Sequence, residues 1–341
     1  MTPTIIILSS LLGFQTPTTQ TDSVEVVLEY KSSVRALEIV DENTIIFSGY
    51  GGLIGVSNDA GTTWDTTRVE FEGNNPAFRA CDAHKDQMFI ASIESPGLIF
   101  KIDMNDLNRQ VLIYHNTNPN VFLDAMSFTD EGIGIVMGDP QEKCLTIIRS
   151  HADESNWEEV KCKHIPSVKK GEAAFAASNG NISIIDQNVW IVSGGGASRC
   201  FHSNDGGQKW KAYNTPMKQG GPMTGAFAVS FKDTRTGIII GGDWENKNDN
   251  NGNLCITRDG GQTWELISEG AGPGYRSSII WSPTDPHTCV AIGSEGIDIS
   301  HDEGLTWESL STEGYFTGRI TPDGKTLWLA GHERIGKLNL R

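Results

Sequence analysis

The sequence predicts an all-β fold, a seven-bladed β-propeller with repeated tight hairpins, and three observations predict it. The first is an eight-residue pattern. Ser57-Asn-Asp59-Ala-Gly61-Thr-Thr63-Trp64 returns at 203–210, 257–264 and 300–307, each time as S/T-x-D-x-G-x-[T/K]-W. The second is its spacing. Ser150 to Trp157 keeps the Ser-to-Trp separation with Ala152 and Glu154 in place of Asp and Gly. With that degenerate copy counted, the tryptophans stand 93, 53, 54 and 43 residues apart, so the first interval spans two repeats. The third is composition: 38 glycines in 341 residues, with no long apolar run and no sustained heptad, describe a turn-rich chain of short elements.

The elements follow in order. The first unit reads as strands over 34–40, 44–48, 53–57 and 64–69, apolar or alternating and separated by turn residues. Later units open at about Phe78, Leu123, Phe175, Phe227, Tyr275 and Phe316. The second unit has lost its repeat, and Phe100-Lys-Ile-Asp-Met-Asn-Asp106 stands in the place. The seventh holds only three strands, over 316–321, 326–330 and 334–340. An extra strand, Val24-Glu-Val-Val-Leu-Glu-Tyr30, precedes the first unit. It is expected to pair with 334–340, supply the missing strand and close the ring, which removes two exposed sheet edges. Residues 21–341 then form a single propeller behind a 1–20 leader.

The repeat itself reads as structural. Asp59, Asp205, Asp259 and Asp302 can accept backbone N–H groups of their own turns, and the glycine permits the left-handed conformation that closes each hairpin. Trp64, Trp210, Trp264 and Trp307 offer large apolar faces to pack between sheets.

Charge and motifs narrow the function. With Lys+Arg 27 against Asp+Glu 43 the net charge is −16, which argues against a nucleic-acid or anionic-membrane binder. No apolar stretch is long enough for a membrane-spanning helix. Residues 5–14 have the length of an export-signal core but lack a preceding Lys or Arg. A periplasmic or secreted location is expected, with a cytoplasmic one as the alternative. Six cysteines contain no C-x-x-C pair. Cys144 and Cys162 flank the degenerate turn nearly opposite each other, as a cross-strand disulfide or, the preferred reading, as two separate buried thiols. Asn246–Gly252 puts Lys247 where a calcium loop needs its first ligand, and Gly49–Gly55 leads into a strand instead of a phosphate-cradling helix. No metal and no cofactor is expected, and the chain is expected to be a monomer.

In a four-stranded blade the start of the innermost strand and the turn between the second and third strands share a face, opposite the repeated hairpins. Aligning innermost strands places Arg35, Arg79, Asp124, Phe175, Phe227 and Arg276 in equivalent positions, with Glu172 just before Phe175. The second turns add Tyr50, Glu94, Asp139, Arg199, Asp243-Trp244, Glu295 and His332. Arg35, Arg79, Arg276, Asp139, Arg199, Asp243 and His332 are the ligand-binding candidates, and Asp124, Glu172 and Tyr275 the candidates for any catalysis. A guanidinium fork suits a carboxylate, so a protein partner or an acidic small ligand is expected on a bowl that is cationic on one side and acidic on the other. In the competing reading, Arg–carboxylate pairs merely fill the channel.

The S/T-x-D-x-G-x-[T/K]-W repeat is the Asp-box, or bacterial neuraminidase repeat. From about Val24 to Arg341 the chain resembles the photosystem II stability/assembly factor family. Phe122-Leu-Asp-Ala-Met126, Gly138-Asp-Pro140, Gly171-Glu-Ala-Ala-Phe-Ala-Ala-Ser178, Gly241-Gly-Asp-Trp244 and Gly274-Tyr-Arg-Ser277 carry that resemblance. It implies seven blades and non-enzymatic binding of an assembly partner through an Arg-lined face, to which Arg35, Arg79 and Arg276 correspond. Sialidases share the Asp-box and suggest a glycoside hydrolase or lyase acting on acidic sugars. Arg35, Arg79 and Arg276 with Tyr275 or Tyr50, Glu172 and Asp124 mimic the sialidase inventory, but the chain lacks a Phe-Arg-Ile-Pro segment and has seven units where sialidases have six.

Overall fold

The computed structural model describes residues 23–340 apart from 153 and 155, so the 1–20 segment expected to be a leader lies outside the described residues. Strands dominate; the helical elements among the described residues are single 3-10 turns at Tyr50–Gly52 and Cys162–His164. The chain folds as successive four-stranded antiparallel meanders. The 78–116 sheet runs Phe78–His84, Gln87–Ser92, Gly97–Asp103, Asp106–Asn116, and the 123–159, 182–214 and 278–311 sheets repeat the order. The 224–266 sheet follows the same plan and is extended by the short pair Glu172–Ala173 and Gly194–Gly195.

One strand, Glu25–Ile39, serves two sheets. Its later half pairs with Ile45–Gly49, and its earlier half pairs antiparallel with His332–Asn339 through Glu25↔Lys337 and Glu29↔Arg334. The expected pairing of the N-terminal strand with the last strand is therefore present, and it joins 317–339 to 34–68 in one seven-stranded sheet.

Burial explains the composition of the strands. Second strands such as Ile45–Gly49, Gly134–Gly138 and Cys289–Gly293 are buried on both faces and read as continuous apolar runs. Outer strands such as Asp65–Arg68 are polar and mostly exposed. The core is divided between neighbouring sheets: Ile46 and Ile54 meet Met88, Ile90 and Phe100, while Ile135 and Ile147 meet Val189 and Phe201. Innermost strands touch in chain order, and the strand that begins at Glu25 touches both Phe78–His84 and Thr317–Ile320.

The repeated turns close as their residues dictate. Asp259 Oδ1 accepts from Thr257 Oγ1 at 2.8 Å, Gln262 N at 3.0 Å and Thr263 N at 2.9 Å, and Oδ2 accepts from Thr263 Oγ1 at 2.6 Å. The turns at Asp59, Asp205 and Asp302 repeat the first and third of these bonds. Bonds from Thr63 Oγ1 and N hold the Asp59 carboxyl below the usual carboxylate range. Gly61 has φ 78° and lies against the Trp328 ring on Thr326–Ala330, so both conformation and space demand glycine there. The second unit replaces its turn by a tight hairpin between Asp103 and Asp106, where Asp103 Oδ1 accepts from Asn105 N at 2.9 Å.

Two expectations change. Cys144 and Cys162 are joined in a disulfide with Cα atoms 5.6 Å apart, in place of two separate thiols. The fourth unit starts its innermost strand at Ile182, not at Phe175. Residues 174–181 run outside any sheet among the innermost strands, and most of their hydrogen bonds go to residues of those strands and their flanking turns. The Asn181 side-chain amide has no partner among the described residues.

Candidate ligand-binding site

The aligned positions share a local geometry that explains their composition. Val34 pairs with Gly49 and Ala36 with Ser48, so Arg35 is the extra residue of a β-bulge. Phe78/Ala80 against Ser92/Ala91 makes Arg79 the extra residue of the next sheet. Leu123/Ala125 against Gly138/Met137 does the same for Asp124, and Ala226/Ala228 against Gly241/Ile240 for Phe227. A bulged residue escapes the in–out alternation of its strand, which frees these four side chains from the sheet interface. Phe175 has no such place, because it lies on the 174–181 segment.

That segment is bound at every step. Asp139 Oδ1 accepts from Ala174 N at 2.8 Å; Arg79 Nη1 donates to Ala176 O at 3.3 Å and Arg35 Nη1 to Ala177 O at 3.1 Å. Ser178 Oγ donates to Ser277 O at 2.6 Å, and Thr317 Oγ1 donates to Ser178 O at 2.8 Å. Asn179 accepts from Met126 N at 2.8 Å and donates to Cys81 O at 2.9 Å. Phe175 stacks on Phe227 with centroids 4.1 Å apart, and Tyr275 meets Phe227 edge-on at 4.8 Å. Residues from five sheets thus hold one plug. Its partners are distant in sequence, so no local signal in 171–181 exposes it.

The charged candidates separate into paired and unpaired groups. Glu172 and Arg199 form a buried fork, Nε–Oε1 2.9 Å and Nη2–Oε2 2.7 Å, completed by Ser193 Oγ and Lys169 N donating to the carboxylate and Ser167 O accepting from Arg199. Arg276 is bound to Asp298 Oδ2 at 2.7 and 2.8 Å and donates to Tyr275 O. Burial raises the Asp298 carboxyl, and Arg276 opposes that shift. Asp243 is engaged by Lys218 at 3.4 Å and by the N–H groups of Glu245 and Asn246.

Arg35 and Arg79 differ. Neither forms an ion pair among the described residues. The Arg35 guanidinium lies 3.9 Å from the Phe316 ring centre, its Nε has no partner among the described residues, and burial together with Arg79 pushes its pKa down to about 10. Burial also lowers Arg79, opposed by Glu94 and Asp124. Asp124 is fully buried with neither carboxyl oxygen partnered among the described residues. Burial, then repulsion from Asp139, raises it well above the usual carboxylate range, opposed by Arg79. Burial raises Asp139 and Tyr275 as well.

The expected division into cationic and acidic sides therefore changes form. Glu172 is neutralised by Arg199, burial disfavours charge on Asp124, and Arg276 has its own carboxylate in Asp298. Arg35 and Arg79 remain without an ion pair among the described residues, with Glu94 and Asp124 acting on Arg79 from farther away. All three catalytic candidates, Asp124, Glu172 and Tyr275, are buried. Tyr50 (59% exposed), Trp244 (47% exposed), Glu94, Glu295 and His332 are exposed at the second turns. Beside Tyr50 a groove of about 250 Å³ is bordered by Phe71, Asn75, Pro76, Glu94 and Pro96. Sequence reasoning found the arginines and missed the bulges, the plug, Asp298 and Phe316.

Solved structures share the fold. YCF48 bound to D1 peptide aligns with TM-score 0.66 and 14% identity over 94% of this chain and 96% of that one. YCF48 from Cyanidioschyzon merolae gives 0.63 and 12% over 92% and 97%. The WD40 propeller domain of Doa1 gives 0.61 and 12% over 93% and 96%. The fold is that of a β-propeller. No protein-family profile matches the chain, and no curated protein sequence does. At such identities the likeness establishes the propeller and its resemblance to YCF48 structures, and leaves function to the residues.

Proposed function

We propose that this propeller is a non-enzymatic binding and assembly-factor-like protein that engages a carboxylate of a protein partner through Arg35 and Arg79. The observation that carries the reading is the pair of guanidiniums that form no ion pair among the described residues, each donating one bond to a plug carbonyl. Two such cations side by side favour an anion, and the exposed Tyr50 and its groove offer apolar area for the adjoining residues of a peptide. The neighbouring YCF48 structure holds a D1 peptide, which agrees with a protein ligand. Glycoside chemistry is disfavoured, because its candidate acids are buried beneath the plug or locked to arginine.

The same reading takes the fold as seven blades closed into a ring. The strand shared between 25–39 and 332–339, and the unbroken series of contacts between innermost strands, support closure. The repeated turns are read as structural Asp-boxes and the chain as a monomer exported by its leader.

The test is affinity capture from native host extract with wild type and with Arg35→Ala plus Arg79→Ala. A specific partner retained by wild type and lost by the double variant, at an unchanged melting temperature, supports the reading. Equal retention by both reduces the arginines to plug anchors.

A further inference from the structure

A second surface, separate from the arginine pair, carries its own charge pattern. Residues 160–171, Val-Lys-Cys-Lys-His-Ile-Pro-Ser-Val-Lys-Lys-Gly, contain four lysines and no carboxylate in a chain of net charge −16. The fold gathers further lysines around this strap. Val168 N donates to Lys143 O at 2.8 Å, and Trp210 N donates to His164 O at 2.9 Å, which brings Lys209 alongside. The Cys144–Cys162 disulfide fixes the strap to the 123–159 sheet. Lys143, Lys161, Lys163, Lys169, Lys170 and Lys209 are all exposed, and none pairs with a carboxylate among the described residues. Elsewhere Lys101, Lys232 and Lys247 each hold a glutamate.

A groove of about 770 Å³ runs between Lys143 and Lys169-Lys170 and reaches Asp139 and Ala173 at the start of the plug. Its carboxylates are mostly spent: Glu172 is bound by Arg199, and Asp139 accepts from Ala174 N. Glu142 remains exposed. Among the described residues the exposed large apolar side chains are Val26, Tyr50, Val111, Leu112, Trp244 and Leu305, none of them on the strap, so the strap has neither a bilayer anchor nor an aromatic platform for bases. A shallow, open, lysine-flanked groove instead matches an extended chain bearing carboxylates at successive positions.

We propose that the 160–171 strap and its groove bind an acidic polypeptide segment by charge complementarity, independently of Arg35 and Arg79. The probe is a labelled oligo-glutamate peptide, acetylated and amidated so that no terminal carboxylate can use the arginine pair, measured by fluorescence anisotropy. Wild type binds it at low salt and releases it as screening shortens to about 8 Å near physiological ionic strength. Lys143→Glu with Lys169→Glu and Lys170→Glu lowers affinity about tenfold or more, Glu142→Lys raises it, and Arg35→Ala with Arg79→Ala leaves it within about twofold. Unchanged affinity in the triple variant and in Glu142→Lys overturns the proposal. So does preference of wild type for phosphatidylserine vesicles or oligothymidine over the peptide. Should the triple variant fail to fold, Glu142→Lys and the salt dependence decide alone.

Discussion

Truncating Arg199 to alanine leaves the Glu172 carboxylate buried with its remaining donors, Ser193 Oγ and Lys169 N. Glu172 is 4% exposed, so water cannot replace the lost fork. Breaking a buried pair on one side costs about 3–5 kcal/mol. For a chain of this size about 2 °C of melting temperature corresponds to each kcal/mol, so Arg199→Ala is expected to melt about 6–10 °C below wild type. Glu172 stands two residues before Ala174, and its release loosens the plug. Amide hydrogen exchange at 174–181 therefore rises more than exchange in the distant 278–311 sheet. Replacing both partners, Arg199→Met with Glu172→Leu, removes the orphaned charge and recovers most of the loss. A melting temperature within about 2 °C of wild type, with unchanged exchange at 174–181, refutes the claim that this pair anchors the plug.

Other consequences follow from the same contacts. Asp259→Ala removes four acceptor contacts from a partly exposed turn and should cost about 1–2 kcal/mol by thermal melt, with partner binding intact in the folded fraction. Cys144→Ser with Cys162→Ser opens a loop with a sequence separation of 18, worth about 3 kcal/mol, and should lower the denaturation midpoint in urea. Burial and the neighbouring Glu38 push the Asp82 carboxyl up to about 7, above its unfolded value. Between about pH 4 and 7 the unfolded chain then binds fewer protons at this group than the folded one, so its contribution to stability falls as pH rises across that window and is flat above it. Asp82→Asn should flatten the melting-temperature profile there, and parallel profiles would contradict the assignment.

Much of this was legible from particular residues. The Ser/Thr-to-Trp repeat is encoded within eight positions, since each hydroxyl and carboxylate bonds within its own turn. Alignment of Arg35, Arg79, Asp124 and Phe227 found four equivalent bulges because the same turn-to-strand junction recurs in each unit. The plug was hidden by its composition. Ala-Ala-Phe-Ala-Ala reads as a buried strand, and only Asp139, Arg79, Arg35 and Ser277, supplied from far along the chain, make it an extended segment outside any sheet. The Glu172–Arg199 fork and the Arg276–Asp298 pair were hidden in the same way, 27 and 22 residues apart with no pattern linking them.

The most direct test of the account is a surface array of C-terminal peptides from the native host, each presented with a free and with an amidated terminus, probed with wild type and with Arg35→Ala plus Arg79→Ala. Recognition by the arginine pair predicts hits that carry a carboxylate, at the free terminus or on an acidic side chain, and that fade about tenfold or more in the double variant, in keeping with a lost charge-assisted fork. Hits that bind equally well with every carboxylate removed, or that the double variant retains at full strength, contradict it.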